Sequence, residues 1–126
     1  MRILLVDDDP AFVLAVKELL TRAGHEVEVA WDGSEALVAA GQGQPKVVIL
    51  DYKMPGFNGG VTGRMLRSFS PGVHIIGVSA ISDIDTSWSD TFLRKDAVLD
   101  ELVPLVDELA AAESTSESPE SSDNAK

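Results

Sequence analysis

Acidic side chains stand at the ends of apolar runs in this chain. Met1-Arg2-Ile3-Leu4-Leu5-Val6 stops at Asp7-Asp8-Asp9, and Val47-Val48-Ile49-Leu50 stops at Asp51. Two later runs end on Ser79 and, within a few residues, on Lys95. Carboxylates brought together raise one another's pKa unless a cation neutralises them, so these residue types suggest a metal. Oxygen-only ligands select a hard divalent ion, and magnesium accepts one or two carboxylates while keeping several waters. An ion held in this way can bridge a carboxylate and a phosphoryl oxygen. Lysine adds a point charge, and the serine hydroxyl a hydrogen bond to a second phosphoryl oxygen. The logical acceptor is then the central carboxylate, Asp51. Each residue also has a plainer reading: the Asp7 to Asp9 triplet as a helix cap, Ser79 as a loop hydroxyl, Lys95 as a solvated charge. Their strand-end positions set them apart.

The elements that would position these groups follow from periodicity. Short β-branched runs alternate with amphipathic stretches: 2–6 then 11–23, 26–30 then 34–40, 46–50 then 60–69, 73–78 then a weak segment, 91–93 then 97–112. This is βα repeated five times. Runs that are apolar throughout, such as Ile3 to Val6 and Val47 to Leu50, are expected of parallel strands covered on both faces. Glu26-Val27-Glu28-Val29 alternates, which marks an edge strand. Asp9-Pro10 is a cap followed by proline at the first helical position, Gly24 ends that helix, and Gly41-Gln42-Gly43 stops the second. Pro104 is expected to kink or locally unwind the last helix. In an open parallel sheet, ligands bind beyond the carboxyl ends of the strands, where Asp7, Asp8, Asp51, Ser79 and Lys95 would converge.

The 126 residues are one domain's worth of chain. Acids outnumber bases 21 to 10, for a formal charge of −11, which opposes contact with nucleic acid or an anionic membrane surface. The absence of cysteine removes disulfide scaffolds, thiol catalysis and cysteine-ligated metals. No apolar run approaches a signal peptide or membrane span, so the chain is expected to be cytoplasmic. Residues 113–126, rich in serine and acids, form an expected disordered tail after a folded domain of residues 1–112. His25 and His74 have no partner at ligand or triad spacing and are expected to be structural, as are Trp31 and Trp88.

The segments Leu4-Leu5-Val6-Asp7-Asp8-Asp9-Pro10, Leu50-Asp51-Tyr52-Lys53-Met54-Pro55-Gly56, Val78-Ser79-Ala80 and Phe92-Leu93-Arg94-Lys95 together resemble the receiver domain of a bacterial two-component response regulator. The resemblance covers residues 1 to about 110. It implies an α/β fold: a five-stranded parallel sheet of order 2-1-3-4-5, doubly wound and flavodoxin-like, (βα)5. It further implies that Asp51 accepts a phosphoryl group from a sensor histidine kinase or phosphotransfer protein. Asp8, Asp51 and the backbone carbonyl of Lys53 would ligate Mg2+, with Asp7 holding a metal-bound water. Lys95 would pair with the phosphoryl group, Ser79 would move toward it, and Phe92 would be the aromatic switch residue turning inward behind it. Such a protein catalyses only its own aspartyl phosphorylation and dephosphorylation. It signals through contact with a downstream protein, not nucleic acid or membrane, as a monomer or weak homodimer.

The chain departs from the family pattern in two places. Asp96 follows Lys95 where the family usually carries proline, and a second acid there could divert the lysine's charge. Only sixteen residues separate Ser79 from Lys95, so the fourth helix is expected to be shortened to about two turns at most, with Ile81, Ile84 and Trp88 on its inner face. These departures favour one alternative, a pseudo-receiver that binds partners without phosphorylation. A phosphatase of the haloacid dehalogenase type, with Asp7 as nucleophile and Asp9 as acid/base, is opposed by Ala11 at the fifth motif position. A flavodoxin is opposed by three aspartates where a phosphate loop should be.

Overall fold

The alternation of apolar and amphipathic stretches produces five strands and four helices in the computed structural model, which describes the backbone of residues 1–124 and the side chains of residues 1–113. The strands are β1 (Arg2–Val6), β2 (Glu26–Ala30), β3 (Val47–Asp51), β4 (His74–Ser79) and β5 (Thr91–Arg94). The helices are α1 (Pro10–Arg22), α2 (Gly33–Gly43), α3 (Gly59–Phe69) and α4 (Val98–Asn124), the last entered through a 3-10 turn at Lys95–Ala97. All strand pairs are parallel, in the order β2-β1-β3-β4-β5. The expected doubly wound sheet is therefore present, and β2 is an edge strand that exposes Glu26 and Glu28.

Successive side chains on the central strands point to opposite faces, and both faces are covered. Ile3, Leu5, Ile49 and Val78 pack with Val13, Val16 and Leu20 of α1 and with Leu102 and Val106 of α4. On the other face, Leu4, Val6, Val48 and Leu50 pack with Ala36 and Ala40 of α2 and Leu66 of α3. The cap at Asp9 forms as expected: its carboxylate accepts a hydrogen bond from the Ala11 amide at 3.1 Å, with Pro10 in the first turn. Gly24, at φ +96°, takes the chain out of α1 through a backbone region that other residues rarely enter.

The structure corrects several expectations. α2 includes Gly41-Gln42-Gly43 and ends at Gly43, with Gln44 as its left-handed cap, because a glycine lowers helix stability by about 1 kcal/mol without forbidding the helix. α4 continues through Pro104, where Pro104 and Asp100 are both exposed, so the carbonyl that proline leaves unpaired can face water. The backbone of α4 is helical to Asn124, across the segment expected to be a disordered tail. Ala110-Ala111-Ala112 and the glutamates are good helix formers, a property that a count of large apolar residues does not register. Residues 125–126, and the side chains of 114–126 that would define contacts beyond residue 112, lie outside the described residues.

The larger correction concerns the fourth helix, which is absent: residues 80–90 form bends and turns with no helix. Side chains compete there for the backbone groups a helix would use. Asp85 accepts from both the amide and the hydroxyl of Ser87, and the Ser89 hydroxyl donates to the Thr86 carbonyl. In place of a helix face, the ring of Trp88 is buried against the sheet. It lies 6.0 Å from the Tyr52 ring and edge-on to Phe92 at 6.3 Å, and its Nε1 donates to the Asp85 carbonyl at 2.6 Å. Glycines make the room: a Cβ on Gly77 would stand 2.7 Å from Trp88 Cη2, and one on Gly63 would stand 3.3 Å from its Cε3. Arg64 pairs with Asp85 and Arg67 with Asp90, which ties the loop to α3. Of the expected inner face, Trp88 is buried and Ile84 half-buried, while Ile81 is exposed.

Candidate functional site

Parallel strands in register deliver their last residues to one rim. Asp7 follows β1 directly, Asp51 is the last residue of β3, Ser79 the last of β4, and Lys95 opens the turn after β5. A carboxylate oxygen from each of Asp7, Asp8 and Asp51 lies within 4.8 Å of the other two. Asp7 and Asp51 are buried and Asp8 is exposed. Lys95 Nζ reaches Asp7 Oδ2 at 3.0 Å and Asp51 Oδ2 at 3.8 Å. Asp8, Asp51, Lys53, Ser79, Ala80, Ile81 and Lys95 line an open cleft of about 250 Å³. A wider hollow of about 400 Å³ beside Glu28, Glu35 and Val38 has no such convergence of strand ends.

The first β–α turn fixes Asp7, whose Oδ1 accepts the Asp9 amide at 2.9 Å. Its Oδ2 is buried and receives the Lys95 ammonium as an ion pair, without a well-directed hydrogen bond. Burial raises the Asp7 carboxyl above the ordinary range despite that bond and that cation. Burial, then the charge of Asp7, pushes Asp51 up to about 7, with Lys95 opposing and Asp8 adding to the rise. Burial pulls Lys95 down, but the contact with Asp7 and the charge of Asp51 outweigh it and hold the ammonium above the usual lysine range. This is a site short of positive charge.

The donor set fits a hard divalent ion. Its ligands are oxygens alone, one carboxylate oxygen lacks a directed partner, and Lys95, the lysine in ion-pair range of Asp7 and Asp51, does not balance three aspartates. Lys53 is exposed at the cleft wall, two residues beyond Asp51. Ser79 is buried, and its Oγ accepts the Ile81 amide at 2.9 Å, which leaves its own proton free to donate. Asp96 does not divert Lys95. It pairs instead with Arg94, at 3.4 Å from Nε. Phe92 pairs with Gly77 of β4 and is half-buried, with Trp88 behind it.

The structure also brings in residues whose role the sequence did not display. Phe12, one of the apolar positions of α1, has Lys95 Nζ 4.5 Å from its ring centroid. Ile81 forms part of the cleft wall. Away from the site, His25 Nε2 meets Asp107 Oδ1 at 2.9 Å, a pairing across 82 positions that spacing could not reveal. His74 meets the Thr91 hydroxyl, as a structural residue would. Trp31, expected to pack, is 43% exposed. No helix among the described residues is long and apolar enough to cross a membrane.

Residues 3–104 match the family described as "Response regulator receiver domain". The DNA-binding response regulator MtrA of Mycolicibacterium smegmatis is 38% identical over 111 residues, which is 83% of this chain and 48% of that protein. The chain spans about half the length of the curated relatives it matches. Among solved structures, response regulator protein TrrA from Thermotoga maritima, in complex with Mg2+-BeF, superposes with a TM-score of 0.79 at 35% identity, covering 86% of this chain and 97% of that one. A chain from the complex of histidine kinase ThkA with TrrA gives 0.78 at 36% identity, with the same coverage of each chain.

Proposed function

Since the chain belongs to the response regulator receiver domain family, a family of signalling modules and not of turnover enzymes, we propose that it is a phosphoacceptor of a two-component phosphorelay and that Asp51 takes the phosphoryl group from a sensor histidine kinase or phosphotransfer protein. The observation that carries this reading is the placement of the Asp51 carboxylate at the cleft, between two further carboxylates and 3.8 Å from Lys95 Nζ. An oxygen of Asp51 attacks phosphorus as the phosphorus–nitrogen bond of a phosphohistidine breaks, and the released imidazole nitrogen keeps the electron pair of that bond. The reaction therefore trades one anionic carboxylate for a mixed anhydride that carries more negative charge in the same space.

Asp8, Asp51 and the Lys53 backbone carbonyl would hold Mg2+, with Asp7 holding a metal-bound water. When bound, the ion supplies positive charge against the carboxylates and the incoming phosphoryl oxygens. TrrA was crystallised with Mg2+ and a beryllofluoride, which supports the same choice of metal here. Lys95 supplies a fixed cation, and Ser79 Oγ would donate its proton to an oxygen of the phosphoryl group on Asp51. Drawing Ser79 toward Asp51 loosens its bond to the Ile81 amide, and with it the start of the 80–90 loop. Trp88 belongs to that loop and packs edge-on to Phe92, so the change would be read by a downstream protein through this surface. The reading of no nucleic-acid contact is confined to these acidic residues. The relatives include a protein named as DNA-binding, and this chain covers about half of it.

The missing fourth helix favours one second reading, a phosphorylation-independent interaction module. Intact-protein mass spectrometry after treatment with acetyl phosphate and Mg2+, alongside beryllofluoride binding, separates the two. The acceptor reading expects one Mg2+-dependent phosphoryl adduct or beryllofluoride complex, absent in Asp51→Asn. A folded wild type that forms neither would refute it in favour of the module.

A further inference from the structure

Lysine reaches its working position on a flexible four-carbon stem, and ordering that stem is entropically unfavourable unless something holds the head. Two carboxylates draw Lys95 Nζ inward, Asp7 at 3.0 Å and Asp51 at 3.8 Å, but neither holds it by a well-directed hydrogen bond. The third neighbour is directional. The ring of Phe12 presents its face to the ammonium, with the centroid 4.5 Å from Nζ. The electron-rich face of an aromatic ring attracts a cation within about 6 Å of its centroid. Here the head of the lysine, and not merely its stem, lies within that range.

The ring is itself well held. Phe12 is in the first turn of α1, directly after the Asp9 cap, and it packs against the core beneath the sheet face shared by α1 and α4. The turn that places the ring also orients Asp7, whose Oδ1 accepts the Asp9 amide. On the far side, Asp96 is turned to Arg94 and leaves Lys95 to the cleft.

We propose that Phe12 is a positioning residue for Lys95: its ring face holds the ammonium beside Asp51 before a phosphoryl group arrives, so that little of the cation's freedom remains to be lost on binding. This rests on the reading of Asp51 as the acceptor. The ring acts on the site through Lys95.

A test that separates electrostatics from packing places mono-, tri- and pentafluorophenylalanine at position 12 of the full chain. Fluorine withdraws electrons from the ring face and nearly preserves its shape. Beryllofluoride affinity is read by fluorine NMR at fixed saturating Mg2+, and melting curves establish that each chain is folded. The expected result is a graded weakening that reaches about two- to fivefold for the pentafluoro ring, the range of a partly exposed cation–π contact. Phe12→Tyr should bind as the wild type does, and Phe12→Leu should match the pentafluoro chain. The Lys95 ε-methylene protons should be shifted upfield by the ring current in wild type and should lose that shift in Phe12→Leu. Equal or tighter affinity across the series, with a wild type that binds, would overturn the assignment. A wild type that binds no beryllofluoride would overturn the acceptor reading instead, and the ring-current shift would then decide the Phe12–Lys95 contact alone.

Discussion

Removing the charge from Asp51 should stabilise the protein when no divalent ion is present. A carboxyl whose folded-state pKa lies above its unfolded value favours folding in its protonated form. That contribution is complete below the unfolded value of 3.8 and is lost as pH rises through about 7. Above pH 7 the folded wild type must therefore carry a buried carboxylate beside Asp7 and Asp8. A rise from 3.8 to about 7 is about 3 pH units, or roughly 4 kcal/mol at ~1.4 kcal/mol each. The cleft is open to water on one side and Lys95 relieves part of the repulsion, so the realised figure should be nearer ~2 kcal/mol. Asp51→Asn keeps the shape and removes the charge. In EDTA at pH 8 the variant should melt on the order of 10 °C above wild type, given ~4–8 °C per kcal/mol for domains slightly smaller than this one. The gap should narrow toward pH 5.5, where the wild-type carboxyl is already protonated in the folded state, and saturating Mg2+ should shrink it at pH 8. Equal melting temperatures at pH 8 without metal, or a gap that is the same at both pH values, would refute the argument.

Two further outcomes test the packing around the loop. Gly77→Ala puts a methyl 2.7 Å from Trp88 Cη2 and 2.9 Å from Ser89 Cβ, so urea unfolding should show a loss of about 1–3 kcal/mol. Trp88→Leu added to that chain should be less harmful than Trp88→Leu alone, and strictly additive losses would mean that the two positions do not share the space. Asp90 is held low: burial opposes ionisation, but the Ile75 amide at 2.8 Å and Arg67 outweigh it. Its stabilisation is present above the unfolded value and is lost as pH falls. Asp90→Asn should therefore be less stable by about 1 kcal/mol at pH 7, after allowance for exposure, with the difference fading below pH ~4 in a pH series of melting curves.

Residues at strand ends are legible in the sequence because two local signals coincide there: an apolar run that must be a covered strand, and a polar or charged residue that ends the run. Asp7, Asp51, Ser79 and Lys95 were placed on this basis, and the order of the sheet followed from the family resemblance. Legibility ended where a contact joined segments far apart in the chain. Phe12 fits the helical stripe of α1 whether or not a lysine lies over its ring. Gly63 and Gly77 have no visible purpose until Trp88 occupies the space they leave. Asp96 was a possible competitor for Lys95, and only the fold reveals that Arg94 claims it. The weak segment after β4 had the right apolar residues for a helix face, yet its Ser and Asp side chains bind their own backbone and make turns instead.

The connection between β4 and β5 is short as well as irregular. A parallel crossover must carry the chain back along the strand it has just left, here from Ser79 to the level of Ile76, where β5 begins, or about 10 Å at ~3.3 Å per residue. Residues 80–90 wound as a helix would advance about 16 Å at ~1.5 Å per residue, enough for that return, but the turns at both ends must come from the same residues and leave about two helical turns at most. Drawn out, the same residues span up to ~36 Å, enough to return by a curved route and to dip inward once, at Trp88. The connection is thus a tether with slack to spare, pinned in a socket near its far end, where Trp88 stands three residues before β5. Shortening it by a few residues on the Ser79 side of Trp88 would consume that slack before any strain reached the socket or the sheet.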